Sequence, residues 1–469
     1  MNNHRRENKE ETMKKNEKRK LWKQGLGTAL VCGLAVAVFP AAKADAADLL
    51  KAGPINTTAE HVTQNQPFAE RTAGSQYFRI PAFIVTQKGN LLAAADARYS
   101  TTGDGGGLDT IASVSTDNGK TWNYSFPLYF PDSDGYIGNT ATTIIDPALV
   151  QGKDGEIYCI ADVNPTGVTT MGGYKAPGEG TGYVKVNGKD YLAVTDNYDN
   201  VNTQPKDDDA TTYAYYVGDW DENGYAKILK RSDHSETGYG VDKWYNLYKV
   251  ENGEYKDTLT QKQVNSNTDI QQNIFYKGSA LHVYNTGYMM YAKTYDDGFT
   301  WTDPEILNPQ IKRPTKETAL LVSPGQGVLT SDGTIVIPFY DHGDGEENAS
   351  IIWSDDNGKT WERSNDVPGA AAGGYWSSES EVVELSDGTL RMFFRSGQGV
   401  VCYSDAVRNT SGDYVFTKPV KTGVSCTSTC NVTAINYSKT IDGKQAILVA
   451  APGGSGRANG KIFTFLVEE

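Results

Sequence analysis

Five short segments hold residue types that could do chemistry. Arg79 lies in Phe78-Arg79-Ile80-Pro81, and Asp104 follows 25 residues later inside Gly103-Asp104-Gly105, with further glycines at 106 and 107. Ser378-Glu379-Ser380-Glu381 precedes Phe393-Phe394-Arg395, and Arg457 sits in the glycine-rich run from Pro452 to Gly460. Arginine presents a planar fork of donors that suits an oxyanion. A carboxyl on a loop can give and take a proton, and catalytic groups often ride loops on a rigid scaffold. Each segment also has a plainer reading: Arg79 as a solvated strand edge, Asp104 as a turn residue, Arg395 as a strand end, Arg457 as part of a tight loop. Other chemistries find no support. There is no H-E-x-x-H, phosphate-binding loop or G-x-S-x-G, and the five histidines are scattered. Asp219-Trp220-Asp221-Glu222-Asn223-Gly224 opens like a calcium loop but carries Lys230 at position twelve, so it reads as a β-turn. No metal and no cofactor are expected.

The elements that must position these residues announce themselves through a repeat. Ser115-Thr-Asp117-Asn-Gly119-Lys-Thr121-Trp122 recurs as Thr294-Tyr-Asp296-Asp-Gly298-Phe-Thr300-Trp301 and as Ser354-Asp-Asp356-Asn-Gly358-Lys-Thr360-Trp361. In such an Asp-box the carboxylate accepts from turn amides, glycine takes positive φ, and Trp packs under the turn. The last two copies stand 60 residues apart, a plausible propeller-blade period, whereas the first two are 179 apart. The stretch from Tyr174 to about Tyr284 breaks the rhythm and has its own hairpin signals, Val186-Asn187-Gly188-Lys189 and Glu251-Asn252-Gly253-Glu254. It reads as an inserted β-rich lobe. The pattern predicts an all-β chain, with propeller segments at 47–173 and 286–469 and an inserted small β-rich domain at 174–285.

With the Asp-boxes, Phe78-Arg79-Ile80-Pro81 resembles the bacterial exo-sialidases (neuraminidases), over about residues 60–469. The resemblance implies a six-bladed β-propeller. It also implies that Arg79, Arg395 and Arg457 clamp the carboxylate of a sialic acid, with Arg98 as a further substrate-binding residue. Asp104 would be the acid/base, with Asp109 as its rival, and must carry a proton part of the time near working pH. Glu379, with Glu381 as the alternative, would partner a tyrosine nucleophile, used because a carboxylate would be repelled by the substrate's own charge. The family places that tyrosine after the third arginine. Only 12 residues follow Arg457, none of them Tyr. The chain is therefore read as having an incomplete last blade and stopping before the nucleophile, and the 469 residues as they stand are expected to turn over little. The implied function is an exo-α-sialidase retaining the anomeric configuration and acting on sialylated glycans. The alternative is a sialic-acid-binding propeller impaired in catalysis.

Composition agrees with this class. Glycine (49) and tyrosine (28) are abundant, which favours strands and tight turns. A formal charge of −14 with no basic stripe argues against nucleic acid as a partner. Residues 1–46 read as a secretory signal peptide: a basic lead from Arg5 to Lys23, an apolar run from Gly25 to Phe39, then Ala44-Asp45-Ala46. They point to secretion from a Gram-positive bacterium, with no membrane span in the mature chain.

Overall fold

The computed structural model describes residues 61–133, 141–171, 173–263, 266–343, 345–427, 430–453 and 456–467. The signal-peptide assignment lies outside the described residues. The chain is all-β and propeller-like. Blade one is built from Tyr77–Val85, Leu91–Arg98, Leu108–Ser115 and Thr121–Leu128, with His61–Gln64 added at its outer edge. Blade two comprises Thr143–Gln151, Ile157–Asn164, Tyr288–Thr294 and Glu305–Ile306. Blade three comprises Glu317–Val322, Ile335–Gly343, Glu346–Ser354 and Glu362–Arg363. Blade four comprises Ser380–Glu384, Leu390–Phe394, Val400–Arg408 and Tyr414–Phe416. Thr433–Asn436, Ala446–Pro452 and Gly460–Leu466 form a fifth sheet. Against the expected six blades with an incomplete last one, the described residues give four blades, each with four main strands and a further strand paired onto it, and one sheet of three. Inner strands such as Leu108–Ser115 and Ile157–Asn164 are buried along their whole length because both faces are packed, which explains their near-continuous small and apolar sequence.

The three Asp-boxes join the third and fourth strands of blades one, two and three. In the first, Gly119 N donates to Ser115 Oγ (2.8 Å), and Thr121 donates through N (2.9 Å) and Oγ1 (2.7 Å) to the Asp117 carboxylate. Asn118 and Gly119 both take positive φ (58° and 81°), as the tight turn demands. The second and third boxes also reach back to the blade before them. Trp301 Nε1 donates to Ser125 Oγ (2.9 Å), which donates to Gly298 O (2.7 Å). Tyr158 OH donates to Asn357 O (2.9 Å), and its ring meets Trp361 edge-on at 5.7 Å.

The long gap between the first two boxes has a simple cause. Everything from Pro165 to Gly287 is inserted between the second and third strands of blade two, which pair directly with each other. Within it, seven consecutive strands from Tyr183–Val186 to Glu254–Lys256 make an antiparallel meander, and Thr260–Lys262 pairs with Asp269–Gln271. Asp221 Oδ1 accepts from Asn223 N and Tyr225 N and so closes the β-turn between two of these strands. The insert is not insulated from the blades. Phe130 of blade one stacks on Phe275 at 5.7 Å, and one apolar cluster runs from Leu92 and Val163 through Tyr245 to Ile228.

The carboxylates of this fold give stability a peaked pH dependence. The Thr121 backbone N–H, and then its hydroxyl, hold Asp117 down at about 2, and hydrogen bonds from Thr360 outweigh burial to hold Asp356 at about 2. Depressed carboxylates stabilise above their ordinary pKa near 4 and lose that contribution as pH falls towards 2. Asp132 is the opposite case: burial raises it to about 7, despite donation from Thr142 N (3.0 Å) and Oγ1 (2.5 Å). The folded state keeps that proton while the unfolded state releases it, so stability falls as pH rises from about 4 to about 7. The melting temperature, followed by calorimetry, is expected to rise from pH 2 to 4 and decline towards 7. Asp132→Asn should flatten the decline, and an unchanged slope would reject the assignment.

Candidate active site

The motif residues are aimed by strained bulges. In blade one the register slips between Arg79 and Ala82, and Ile80 adopts φ 56°, an outlying conformation for a β-branched residue. In blade two it slips between Ile145 and Ala148, and Asp146 adopts φ 61°. In both strands the strained residue precedes a proline. Bulges re-aim side chains, and strain of this kind collects at functional sites.

The bulges bring charged groups together. Asp104 Oδ1 accepts from Arg79 Nη1 and from Arg98 Nη1, both at 2.6 Å. Arg98 also donates to Asp96 Oδ2 through Nη2 (2.6 Å), and to the carbonyls of Thr102 (2.9 Å) and Gly103 (2.7 Å). Asp96 Oδ1 in turn accepts from Asp146 N at 2.9 Å. Burial, opposed by Arg98, raises Asp96 to about 6. Burial, then the charges of Asp96 and Glu379, push Asp146 well above the ordinary range. From blade four, Glu379 Oε2 accepts from Arg395 Nη1 at 2.9 Å, with Arg395 N donating to Glu379 O (2.8 Å) behind it. From blade three, Glu347 hydrogen-bonds Ser378, the neighbour of Glu379, and lies in the field of Arg395. His342 Nε2 stands 3.2 Å from Glu347 Oε1, and both line a cavity of about 560 Å³ with Glu179 and Lys316.

The blade residues among these sit at one end of their blades: the start of a first strand, the end of a second, the loop after it, or the start of a third. The registers Tyr77↔Arg98, Ser380↔Phe394 and Pro452↔Gly460 fix that equivalence, and the Asp-boxes occupy the other end. Residues 182–464 match the family model described as BNR repeat-like domain. The chain is 30% identical to the anhydrosialidase of Macrobdella decora, across 90% of this chain and 55% of that protein. It is 29% identical to sialidase B of Streptococcus pneumoniae, across 84% and 56%. The solved intramolecular trans-sialidase of Ruminococcus gnavus, in complex with oseltamivir carboxylate, superposes with a TM-score of 0.71 at 30% identity, covering 86% of this chain and 83% of that one.

The chain belongs to the bacterial sialidase family. It spans about half the length of the curated relatives it matches, 55% and 56%. Within this sialidase-family chain the expected residues fare differently. Arg79 and Asp104 meet directly, and Arg395 pairs with Glu379. Arg457 lies in the exposed loop between the second and third strands of the fifth sheet, the place that Asp104 holds in blade one. Arg98 is corrected: its side chain is fully buried, and its donors are directed to Asp96, Asp104 and two carbonyls. It holds Asp104 through this hydrogen bond, and none of its side chain is open to solvent. Asp109 is excluded as a rival acid because it is buried, accepting from Phe130 N (2.8 Å) and Tyr99 OH (2.9 Å). Glu381 is likewise buried within its strand, and burial raises its pKa strongly.

Sequence reasoning missed Asp96, Asp146, His342 and Glu347. Two signals were available for the first pair. Asp96 and Arg98 are two charges at i, i+2 in an alanine-rich strand, and Asp146-Pro147 interrupts an apolar strand at the place where Ile80-Pro81 interrupts its own. It also missed Tyr340, buried beside Asp146 and Glu379. Burial and those neighbours push its hydroxyl well above the ordinary pKa, the reverse of what a nucleophile needs.

Among the described residues no helix is long and apolar enough to cross a membrane.

Proposed function

We propose that the protein is a secreted exo-α-sialidase that removes terminal sialic acid from glycoconjugates with retention of configuration. The observation that carries this reading is a pair of arginine–carboxylate contacts, Asp104 with Arg79 and Glu379 with Arg395, whose carboxylates both act on Asp146. In the absence of substrate each of these arginines is engaged by a carboxylate of the site. A sialic acid carboxylate would share Arg79 and Arg395, and Arg457 would close the clamp from the fifth sheet. Charge-assisted donation from three guanidiniums suits that group. Asp104, drawn towards the leaving oxygen, would protonate it and then activate water. Glu379 would accept the proton of the tyrosine nucleophile, which the family resemblance places after Arg457. Because that side of the mechanism rests on the tyrosine, the test uses the chain carried through the tyrosine-bearing segment.

A second product is favoured by the names of the relatives, an anhydrosialidase and an intramolecular trans-sialidase. In that variant an internal hydroxyl of the sugar, rather than water, would resolve the intermediate. Incubation with 3′-sialyllactose followed by NMR is expected to show lactose and one sialic acid product, free or internally anhydro. Absence of lactose release, with the fold verified by circular dichroism, would reject the proposal.

A further inference from the structure

We propose that a second pocket, on the leaving-group side of Asp104, binds an anionic sugar of the glycan that departs. The inference rests on the reading of Asp104 as the acid, because a group that protonates the leaving oxygen stands between the sugar and its leaving group. Packed against the Asp104 loop are Thr169 and Tyr174, which follow the second strand of blade two. Thr169 Oγ1 donates to Asp104 O at 3.4 Å, and Thr169 N to Lys175 O at 2.9 Å. The packing there is close: a Cβ placed on Gly105 would come within 2.9 Å of Tyr174 and 3.1 Å of Thr169.

Within the insert, and joined to Thr169 through Lys175, is a cavity of about 300 Å³ lined by Thr166, Lys175, Tyr198, Asn202, Lys277 and Asn285. No carboxylate lines it, in a chain with 58 acidic and 44 basic side chains. Among the described residues no ion pair engages Lys175 or Lys277. The walls are built rather than incidental. Lys277 N donates to Thr166 Oγ1 (3.2 Å), its ammonium lies 5.4 Å from the Tyr198 ring centre, and Asn285 Nδ2 donates to Asn202 Oδ1 (2.8 Å). Two ammonium groups supply point charges for a carboxylate or sulfate, while amides and hydroxyls suit ring hydroxyls. The volume falls at the low end for small-molecule sites and fits one sugar unit.

The direct test is calorimetric titration of this chain with two disaccharides that lack sialic acid, one sulfated and one carrying glucuronic acid, against their neutral parents. The anionic sugars should bind and the neutral ones should not. The pair Lys175→Ala and Lys277→Ala should weaken binding about tenfold, the size expected for charge-assisted hydrogen bonds. Both lysines are exposed, so folding should be unchanged by circular dichroism. Binding of one anion and not the other identifies which acid the pocket takes. In the chain carried through the tyrosine-bearing segment the same variant should lower kcat/KM about tenfold on substrates with an acidic leaving glycan, and less than about twofold on 3′-sialyllactose. Equal binding of charged and neutral sugars, or undiminished binding by the variant, overturns the pocket whatever the catalytic result. Binding that depends on the lysines but leaves the kcat/KM ratio unchanged overturns its place on the leaving-group side. Absence of all turnover in that extended chain, with binding intact, counts instead against the activity proposed above.

Discussion

Asp104→Asn, in the chain carried through the tyrosine-bearing segment, is expected to lower turnover of 3′-sialyllactose by about three orders of magnitude, within the range that general acid catalysis contributes. A lactose oxygen leaves poorly unless protonated as the bond breaks. An activated aryl leaving group departs as a stable anion, so the same variant should lose less than about tenfold on an aryl sialoside. Asparagine keeps the size of the side chain and an oxygen to accept from Arg79 and Arg98, so the loop should hold its place. The comparison of the two substrates is the decisive measurement. Equal loss on both would assign Asp104 to folding or binding. Equal activity on both would leave the acid to another group, and Asp109 cannot serve, since it is buried and accepts from Phe130 N and Tyr99 OH.

Arg98→Met should be the most damaging single change to stability near the site. The guanidinium is fully buried and is the buried cation paired with Asp96. Methionine approximates its length but leaves Asp96 beneath the loop, and removes the anchor of the Thr102 and Gly103 carbonyls. Breaking a buried pair by deleting one partner costs about 3–5 kcal/mol, because an uncompensated charge remains. Urea unfolding followed by circular dichroism should register a loss of that size. Adding Asp96→Asn should recover part of it, since the orphaned charge is then gone, and the double-mutant cycle isolates the coupling. A loss below about 1 kcal/mol, or strict additivity, would show that Arg98 is not the structural support described.

How far the sequence carried can be judged residue by residue. The Asp-box geometry was readable because one turn dictates all of its residue types, and the three copies mark the same turn in three successive blades. Their unequal spacing was readable as an insertion, but not its place between two hydrogen-bonded strands, since strand pairing depends on contacts remote in the chain. Arg79, Asp104, Glu379 and Arg395 could be singled out because flanking motifs mark them. The burial of Arg98 was not readable for a physical reason: alternation places Asp96 and Arg98 on one face of a strand, but does not say whether that face meets a cavity or a packed interior. Asp109 and Glu381 were open alternatives on the same ground, and only burial separates them from Asp104 and Glu379. Asp146 escaped because an aspartate before proline reads as a turn, whereas here the pair forms a bulge inside a strand.

The backward reach of the second and third Asp-boxes carries a consequence for how the molecule assembles. Trp301 fastens blade two to Ser125 of blade one, and the turn of blade three receives Tyr158 of blade two. Each fastening joins a turn to the preceding blade and is completed by a turn that emerges later from the ribosome. A chain threaded out from its N-terminus therefore meets a ready-made docking face every time a new hairpin appears. Closure then proceeds as a ratchet, in which each added blade secures the one already formed and shields its edge before the next strand arrives.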